Sequence, residues 1–365
     1  MAAAGAVRLC SYQPMHNASD PSSWISAAEA SRPLFVGLDL GGTNMKAGIV
    51  DDAGRTLAYH SEPSHVDRGP EDVARRLGGM VATLCELAGV ESGDLAGVGL
   101  GTPGPQDLHT GVLHDTGNMP GFEGFPIRDR VAEHCGHAVT FANDASAAAY
   151  GEYWTGSGRS LSSMVFWTLG TGIGGGVIIG DTCLEGHHSH ATESGHIILD
   201  TSDTARACPC GKRGCLEAYA SATSLVAIAQ EKLAAGATGP LADAVAAGEP
   251  LTPVLIADAA RQGDTVALDL ILDAARWMGI GTVNMMHIID PEGVVLGGAM
   301  TFDGEADPIG KAFIERVRQE VRERAFPVLA RETTIHYAAL GGDAGYIGAA
   351  GLARAATRRP ARTSN

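Results

Sequence analysis

The chain has 365 residues, and its 26 Lys and Arg against 42 Asp and Glu give a net charge of −16. Nucleic acid and anionic membranes are bound through basic patches, so this balance argues against both as partners. The length suffices for two domains with substantial cores, and the 49 glycines, about twice the usual share, cluster in short groups between apolar runs.

Residues 1–33 mix Ala, Ser, Pro, Asn and Asp without helical or strand period and read as a disordered or loosely attached extension. Structure is expected from Leu34, in LFVGLDLGGTNMKAGIV, where two apolar strands flank a tight turn. Asp39, Gly41, Gly42 and Thr43 stand at that turn. Bare backbone amides there can close on phosphate oxygens while the Asp39 carboxylate holds hydrated magnesium; a plain β-hairpin is the competing reading. An amphipathic helix is expected over 71–90. In LAGVGLGTPGPQD, Gly99, Gly101 and Gly104 satisfy G-x-G-x-x-G. Pro103 and Pro105 deny the helix start that a dinucleotide fingerprint requires, so the segment is a loop after a strand.

A polar loop, GNMPGFEGFPI, precedes a helix over 127–135 and a strand ending at Asn143 and Asp144. Side chains at such a strand end face the space where α/β proteins collect ligands, although Asn and Asp also serve as helix caps. SMVFWTLGTGIGGGVIIG repeats the strand, glycine turn and strand design. Gly170, Gly172 and Gly175 match the dinucleotide spacing, but the strand-like VIIG that follows rules it out. Two glycine hairpins, 39–43 and 170–176, imply a duplicated architecture clamping a nucleotide.

The segment ESGHIILDTSDTARACPCGKRGCLE, 193–217, holds His196, Cys208, Cys210 and Cys215, the Cys3His set of a closed structural zinc site without an open position for catalytic water. Gly211 and Gly214 allow the sharp return of the chain, and Glu193 and Glu217 place two carboxylates on a stiff frame suited to a polyol. With three of seven cysteines so assigned, Cys10, Cys85, Cys135 and Cys183 read as small apolar residues, and no disulfide framework is expected. Without a signal peptide or the roughly eighteen apolar residues of a membrane helix, the expected compartment is the cytoplasm. Helices are expected over 224–235 and 241–247, both surface-exposed, over 265–286 with a long apolar stripe, and over 308–324. Gly297 and Gly298 after VVL form a third glycine turn. A strand over 333–338, a closing helix over 343–356 and a solvated basic tail, RRPAR, complete the chain.

In this order, DLGGTNMK, GLGTPGPQD, the Asn-Asp pair, LGTGIGGG, ESGH, CPCGKRGCLE and VVLGGAM resemble the ROK-family sugar kinases over about 34–356. The pairing of E-x-G-H with C-x-C-G-x-x-G-C-x-E is the specific part; the glycine turns alone point only to the wider actin-like, hexokinase-like group. The resemblance implies an α/β two-lobed fold of duplicated ribonuclease H-like domains with a structural zinc loop. The small lobe would span 34–150, with the helix at about 343–357 packing back on it, and the large lobe 151–342. The implied activity is phosphorylation of glucose at its C6 hydroxyl by Mg-ATP, or the same chemistry on N-acetylmannosamine, N-acetylglucosamine, mannose or fructose; the remaining alternative is a non-catalytic sugar sensor. Asp144 would be the general base. Asn143, Glu193, His196 and Glu217 would contact sugar hydroxyls, joined by Pro103 and Gly104, and His196 would bind zinc through its other ring nitrogen. Asp39, Gly41, Gly42 and Thr43 with Gly170, Thr171, Gly172 and Gly174 would hold the phosphates, and Gly297 and Gly298 the adenosine. A homodimer or homotetramer is also implied. His190-Ala-Thr departs from the glycine and alanine usual before the E-x-G-H glutamate, and 1–33 lacks the helix-turn-helix of the family's repressors.

Overall fold

The computed structural model describes residues 18, 20–114 and 119–358. Cys10, Gly117 and Asn118 of the polar loop, and the tail from 359 onward lie outside the described residues. The first half contains β1 (Leu34–Leu40), β2 (Asn44–Val50), β3 (Thr56–Pro63), α1 (Pro70–Ala88), β4 (Leu95–Thr102), the short β5 (Gln106–Asp107) and β6 (Val112–Leu113), α2 (Ile127–Cys135), β7 (Val139–Asn143) and α3 (Asp144–Trp154). The second half contains β8 (Ser163–Leu169), β9 (Ile173–Ile179), β10 (Thr182–Cys183), α4 (Glu217–Ala220), α5 (Ala222–Ala234), α6 (Pro240–Ala246), α7 (Pro253–Arg261) and α8 (Thr265–Ile289). It closes with β11 (Gly293–Gly297), α9 (Pro308–Arg324), α10 (Pro327–Glu332), β12 (Thr334–Tyr337) and α11 (Ala344–Arg358).

The strands form two five-stranded sheets, ordered β3-β2-β1-β4-β7 and β10-β9-β8-β11-β12. In each, the first three strands run antiparallel and the last two parallel to the central one, so the second sheet repeats the first. This is the duplication implied by the two glycine hairpins.

Local sequence explains most boundaries. Asp307 caps α9 by accepting from the Ile309 amide at 2.8 Å, and Pro308 sits at its first turn, where its missing amide hydrogen costs nothing. Asp264 caps α8 in the same way through Ala267. Helix α8 buries Leu270, Ile271, Ala274 and Met278 with Phe313 and Val317 of α9 and Trp167 and Leu296 of the second sheet. The helices α5 and α6, expected to lie on the surface, each bury one side: Leu225 and Ala229 of α5 and Leu241 of α6 join this core. Their small apolar residues gave too weak a period to reveal that face.

The expectation of a loose extension over 1–33 fails for its described part. Trp24, Ile25, Ala27 and Ala30 pack against the small-lobe core, the Ile25 amide donates to the Thr56 carbonyl at 3.0 Å, and Trp24 Nε1 donates to the Ala18 carbonyl at 2.8 Å. Scattered apolar residues can seal an edge without a regular element, so no period announces them.

Helices α3 and α11 lie between the two sheets. On the small-lobe side α11 sits so close to β1 and β4 that a Cβ on Gly37 would fall 1.7 Å from the Tyr346 carbonyl oxygen, and one on Gly99 1.9 Å from that of Ala349. Only glycine permits that seat. The chain passes from the first sheet to the second after α3 and comes back to the first through α11, after β12. Among the described residues no helix is long and apolar enough to cross a membrane.

Candidate active site at the cleft

Strands β1, β4 and β7 end level with one another: Asp39 pairs with Gly101, and Thr102 with Asn143. Asp39, the loop with Pro103 and Gly104, and the Asn143–Asp144 step therefore open on one edge of the first sheet, at the carboxyl ends of its parallel strands. In the β1–β2 turn, the Gly41 amide donates to the Asn44 carbonyl at 2.9 Å, leaving Gly42 and Thr43 exposed at its tip. The second sheet presents the matching turn, closed by the Gly170 amide on the Gly172 carbonyl at 3.0 Å, with Thr171 exposed. Gly297 lies opposite Thr168, and a Cβ on Gly298 would fall 2.3 Å from the Leu169 carbonyl oxygen, which sets the third glycine turn beside the second. The first turn of α3 rests on β9, where a Cβ on Gly174 would meet the Ala145 Cβ at 2.9 Å. Asp144, at the head of α3, stands where the two lobes join.

Asn143 caps α3, its Oδ1 accepting from the Ala145 amide at 2.9 Å and the Ser146 amide at 3.4 Å. The cap commits only the oxygen, so the amide nitrogen of the same side chain is left to donate to a ligand. Capping and ligand binding, alternatives in the sequence, are thus compatible.

Burial pushes the Asp144 carboxyl up to about 7, with the Asp39 charge adding to it and the Ala145 amide opposing; the Glu193 charge contributes further. Burial likewise raises Asp39 to about 6, against the pull of Lys46. Both carboxyls keep part of their surface open while protein surrounds the rest. A carboxyl titrating near neutrality suits a proton-accepting step, and the mutual charge of two such carboxylates is what a bound cation would offset.

Lys46 was not singled out in the sequence. It pairs with Asp39 across the hairpin, and its Nζ donates to the Gly342 carbonyl at 2.7 Å, tying β2 to the turn before α11. Hairpin register was the available signal, since directly paired residues share a face.

In the cysteine loop, His196 Nδ1 lies 3.6 Å from Cys208 Sγ, and Cys210 Sγ lies 3.7 Å from Cys215 Sγ. All four ligand atoms fall within 4.8 Å of one another. Zinc–sulfur bonds of about 2.3 Å require tetrahedral edges of about 3.8 Å, so the residues fit zinc with little movement. The approach through Nδ1 leaves His196 Nε2 facing away from the thiols. Gly211 and Gly214, at φ +81° and +79°, make the expected returns of the chain. A tilted ring contact of Tyr219 with Trp277 at 4.2 Å, with Cys208 and Cys215 packed beside it, supports the loop.

Glu217 has a place that spacing could not reveal. Its Oε2 accepts from the Ile173 amide at 2.8 Å and its Oε1 from the Cys208 thiol at 3.7 Å, joining the second glycine turn to the cysteine loop. Thr223 Oγ1 reinforces that junction by donating to the Thr171 carbonyl at 2.8 Å. Glu193 is exposed at the start of the turn carrying His196, and that turn packs on β9 through Ser194 and Gly175. Between the loop after β5 and the segment before Glu193, the Leu108 amide donates to Ser189 Oγ at 3.0 Å, and the rings of His114 and His190 stack at 6.4 Å.

The arrangement has close counterparts among known proteins. The chain is 35% identical over 328 residues to the glucokinase of Streptomyces coelicolor, covering 88% of this chain and 98% of that one. Among solved structures it is similar to the ROK hexokinase of Thermus thermophilus, with a TM-score of 0.75 and 34% identity over 89% of this chain and 99% of the other. It is also similar to a ROK family glucokinase from Streptomyces griseus in complex with glucose and AMPPNP, with a TM-score of 0.71 and 33% identity over 88% and 99% of the two chains. The ROK family pattern matches residues 35–356, and with it the duplicated sheets, both glycine hairpins and the cysteine loop, so the chain belongs to the ROK family.

Proposed function

We propose that the protein is an ATP-dependent hexose kinase that transfers the γ-phosphoryl group of ATP to the C6 hydroxyl of glucose. The observation that carries this reading is the position of Asp144, at the lobe junction between the two glycine turns, beside Asp39 and with its carboxyl raised to about 7. A base works best when its pKa lies near the operating pH, and Asp144 is poised to take the C6 proton as that oxygen attacks phosphorus. The transition state is loose, so the remaining residues contribute positioning and charge balance.

Asp39 would hold hydrated magnesium, which when bound neutralises phosphate charge. The turns at Gly41–Thr43 and Gly170–Gly174 would take the phosphate oxygens through amides that the protein does not already use, the Gly41, Gly170 and Ile173 amides being bonded internally, with the adenosine along Gly297 and Gly298. Glu193, the Asn143 amide and His196 Nε2 would orient the sugar, with Pro103 and Gly104 at its edge. His196, Cys208, Cys210 and Cys215 would hold zinc, which supplies rigidity to the sugar-facing loop. The Cys208 thiolate of a zinc-loaded loop has no proton to donate, and Glu217 Oε1 is then available to a sugar hydroxyl. The Streptomyces griseus relative solved with glucose and AMPPNP supports glucose and ATP as the pair.

The test is turnover of a panel of hexoses with Mg-ATP, with Asp144→Asn as the blank. Glucose as the best substrate, with a variant slowed about 10² to 10⁴-fold, is expected. Preference for an N-acetylated sugar, mannose or fructose would move the specificity and keep the chemistry. Binding of glucose with no phosphorylation of any sugar would leave a sensor in its place.

A further inference from the structure

Glu152 lies eight positions after Asp144 on α3 and is fully buried, yet no cation pairs with it among the described residues. Burial holds its ionisable neighbour His336 below the ordinary range, so that imidazole is neutral near pH 7. The carboxylate is satisfied instead by main-chain amides and one hydroxyl. Oε1 accepts from the Leu340 amide at 2.7 Å and the Ala339 amide at 3.0 Å. Oε2 accepts from the Ser157 amide at 2.9 Å, Ser157 Oγ at 3.0 Å and the Ala339 amide at 3.0 Å. Gly156 is required beside it, since a Cβ there would fall 2.1 Å from Oε2.

These donors come from two places only. Ser157 belongs to the passage after α3, by which the chain leaves the small lobe for the large one. Ala339 and Leu340 belong to the passage between β12 and α11, by which it returns. One carboxylate therefore fastens both lobe crossings to each other. The consequences reach the two acidic groups of the cleft by separate routes. Asp144 heads the helix that carries Glu152. Asp39 rests against the start of α11, where a Cβ on Gly345 would fall 2.4 Å from Asp39 Oδ2, a few residues beyond Leu340.

We propose that Glu152 is a positioning residue for phosphoryl transfer, a pivot that fixes the angle between the lobes and with it the placement of Asp144 relative to Asp39. This rests on the kinase reading above. Misplacement of reacting groups by about 1 Å can cost on the order of 10²-fold in rate, so a loosened pivot should be felt at a distance.

The experiment is Glu152→Gln in the full chain, which keeps the shape of the side chain and replaces one acceptor oxygen with an NH2 group facing amide donors. Measured together are Tm, kcat, KM for glucose and Mg-ATP, and the glucose-induced change in radius of gyration by X-ray scattering. The expected result is a kcat lower by about ten-fold or more with a diminished compaction on glucose, in protein that is folded at the assay temperature. A lowered Tm with wild-type kcat, KM and compaction would make Glu152 a stability residue only and overturn the proposal. If Glu152→Gln does not fold, Ser157→Ala decides: it removes one donor, a folded variant with reduced kcat supports the pivot, and one with unchanged kcat and compaction refutes it. Wild-type protein that phosphorylates no hexose sinks the kinase reading, whereas active wild type matched by its Glu152 variant sinks this role alone.

Discussion

Asp144 makes two statements about pH that can be checked separately. Its folded-state carboxyl is raised to about 7, chiefly by burial, from an ordinary value of 3.8. As base it must be ionised, so kcat/KM should fall as pH drops below about 7, and the remaining slow turnover of Asp144→Asn should lack that acidic limb. The stability consequence has the opposite sign. A raised carboxyl pKa means that the folded state resists ionisation, so the group costs nothing below about pH 4 and its cost grows until pH passes about 7. The ligand-free Asp144→Asn variant should therefore match the wild type in Tm at pH 4 and exceed it by a few degrees at pH 8. Equal melting at both values would mean that the carboxyl is solvated as an ordinary one.

At the scale of elements, the cysteine loop and the second glycine turn behave as one unit, because Glu217 bonds to both. Loss of the proposed zinc should loosen the unit as a whole. Cys210→Ser is expected to abolish stoichiometric zinc by metal analysis and to raise KM for glucose by about ten-fold or more, with a smaller rise in KM for Mg-ATP transmitted through Ile173. Zinc retained at one per chain in that variant would remove Cys210 from the ligand set. Replacement of Glu217 by Ala leaves the Ile173 amide without its acceptor, at a cost of about 1–3 kcal/mol, and should weaken nucleotide binding as well as sugar binding. Isothermal titration with each ligand separates the two effects.

At the scale of the molecule, the segment before the first strand packs on the core of the first sheet. Trp24 seals the core beside Ile25 and holds the Ala18 carbonyl. Trp24→Ala should destabilise the protein by about 2 kcal/mol through lost apolar burial, read as a Tm lower by a few degrees at unchanged KM. No change in Tm would return that segment to the loose extension expected of it. Closure over sugar, expected of the proposed kinase, would exclude water that competes as phosphoryl acceptor, and the Leu108 amide on Ser189 Oγ already joins a loop of the first half to one of the second.

What the sequence determined is what neighbouring residues impose on one another. The glycine hairpins, the helices over 127–135 and 308–324, and the four clustered zinc-type ligands all follow from short-range geometry and spacing. The tertiary structure alone decided which of these local features would meet. Glu152 looks like a surface residue of an Ala-rich helix until passages nearly two hundred positions apart close around it, and Glu217 bonds to a turn 44 residues earlier. Lys46 and residues 20–33 are of the same kind. The physical reason is common to all of them: a buried polar atom or an edge-sealing side chain is defined by the partner that removes it from water, and sequence spacing carries no record of that partner.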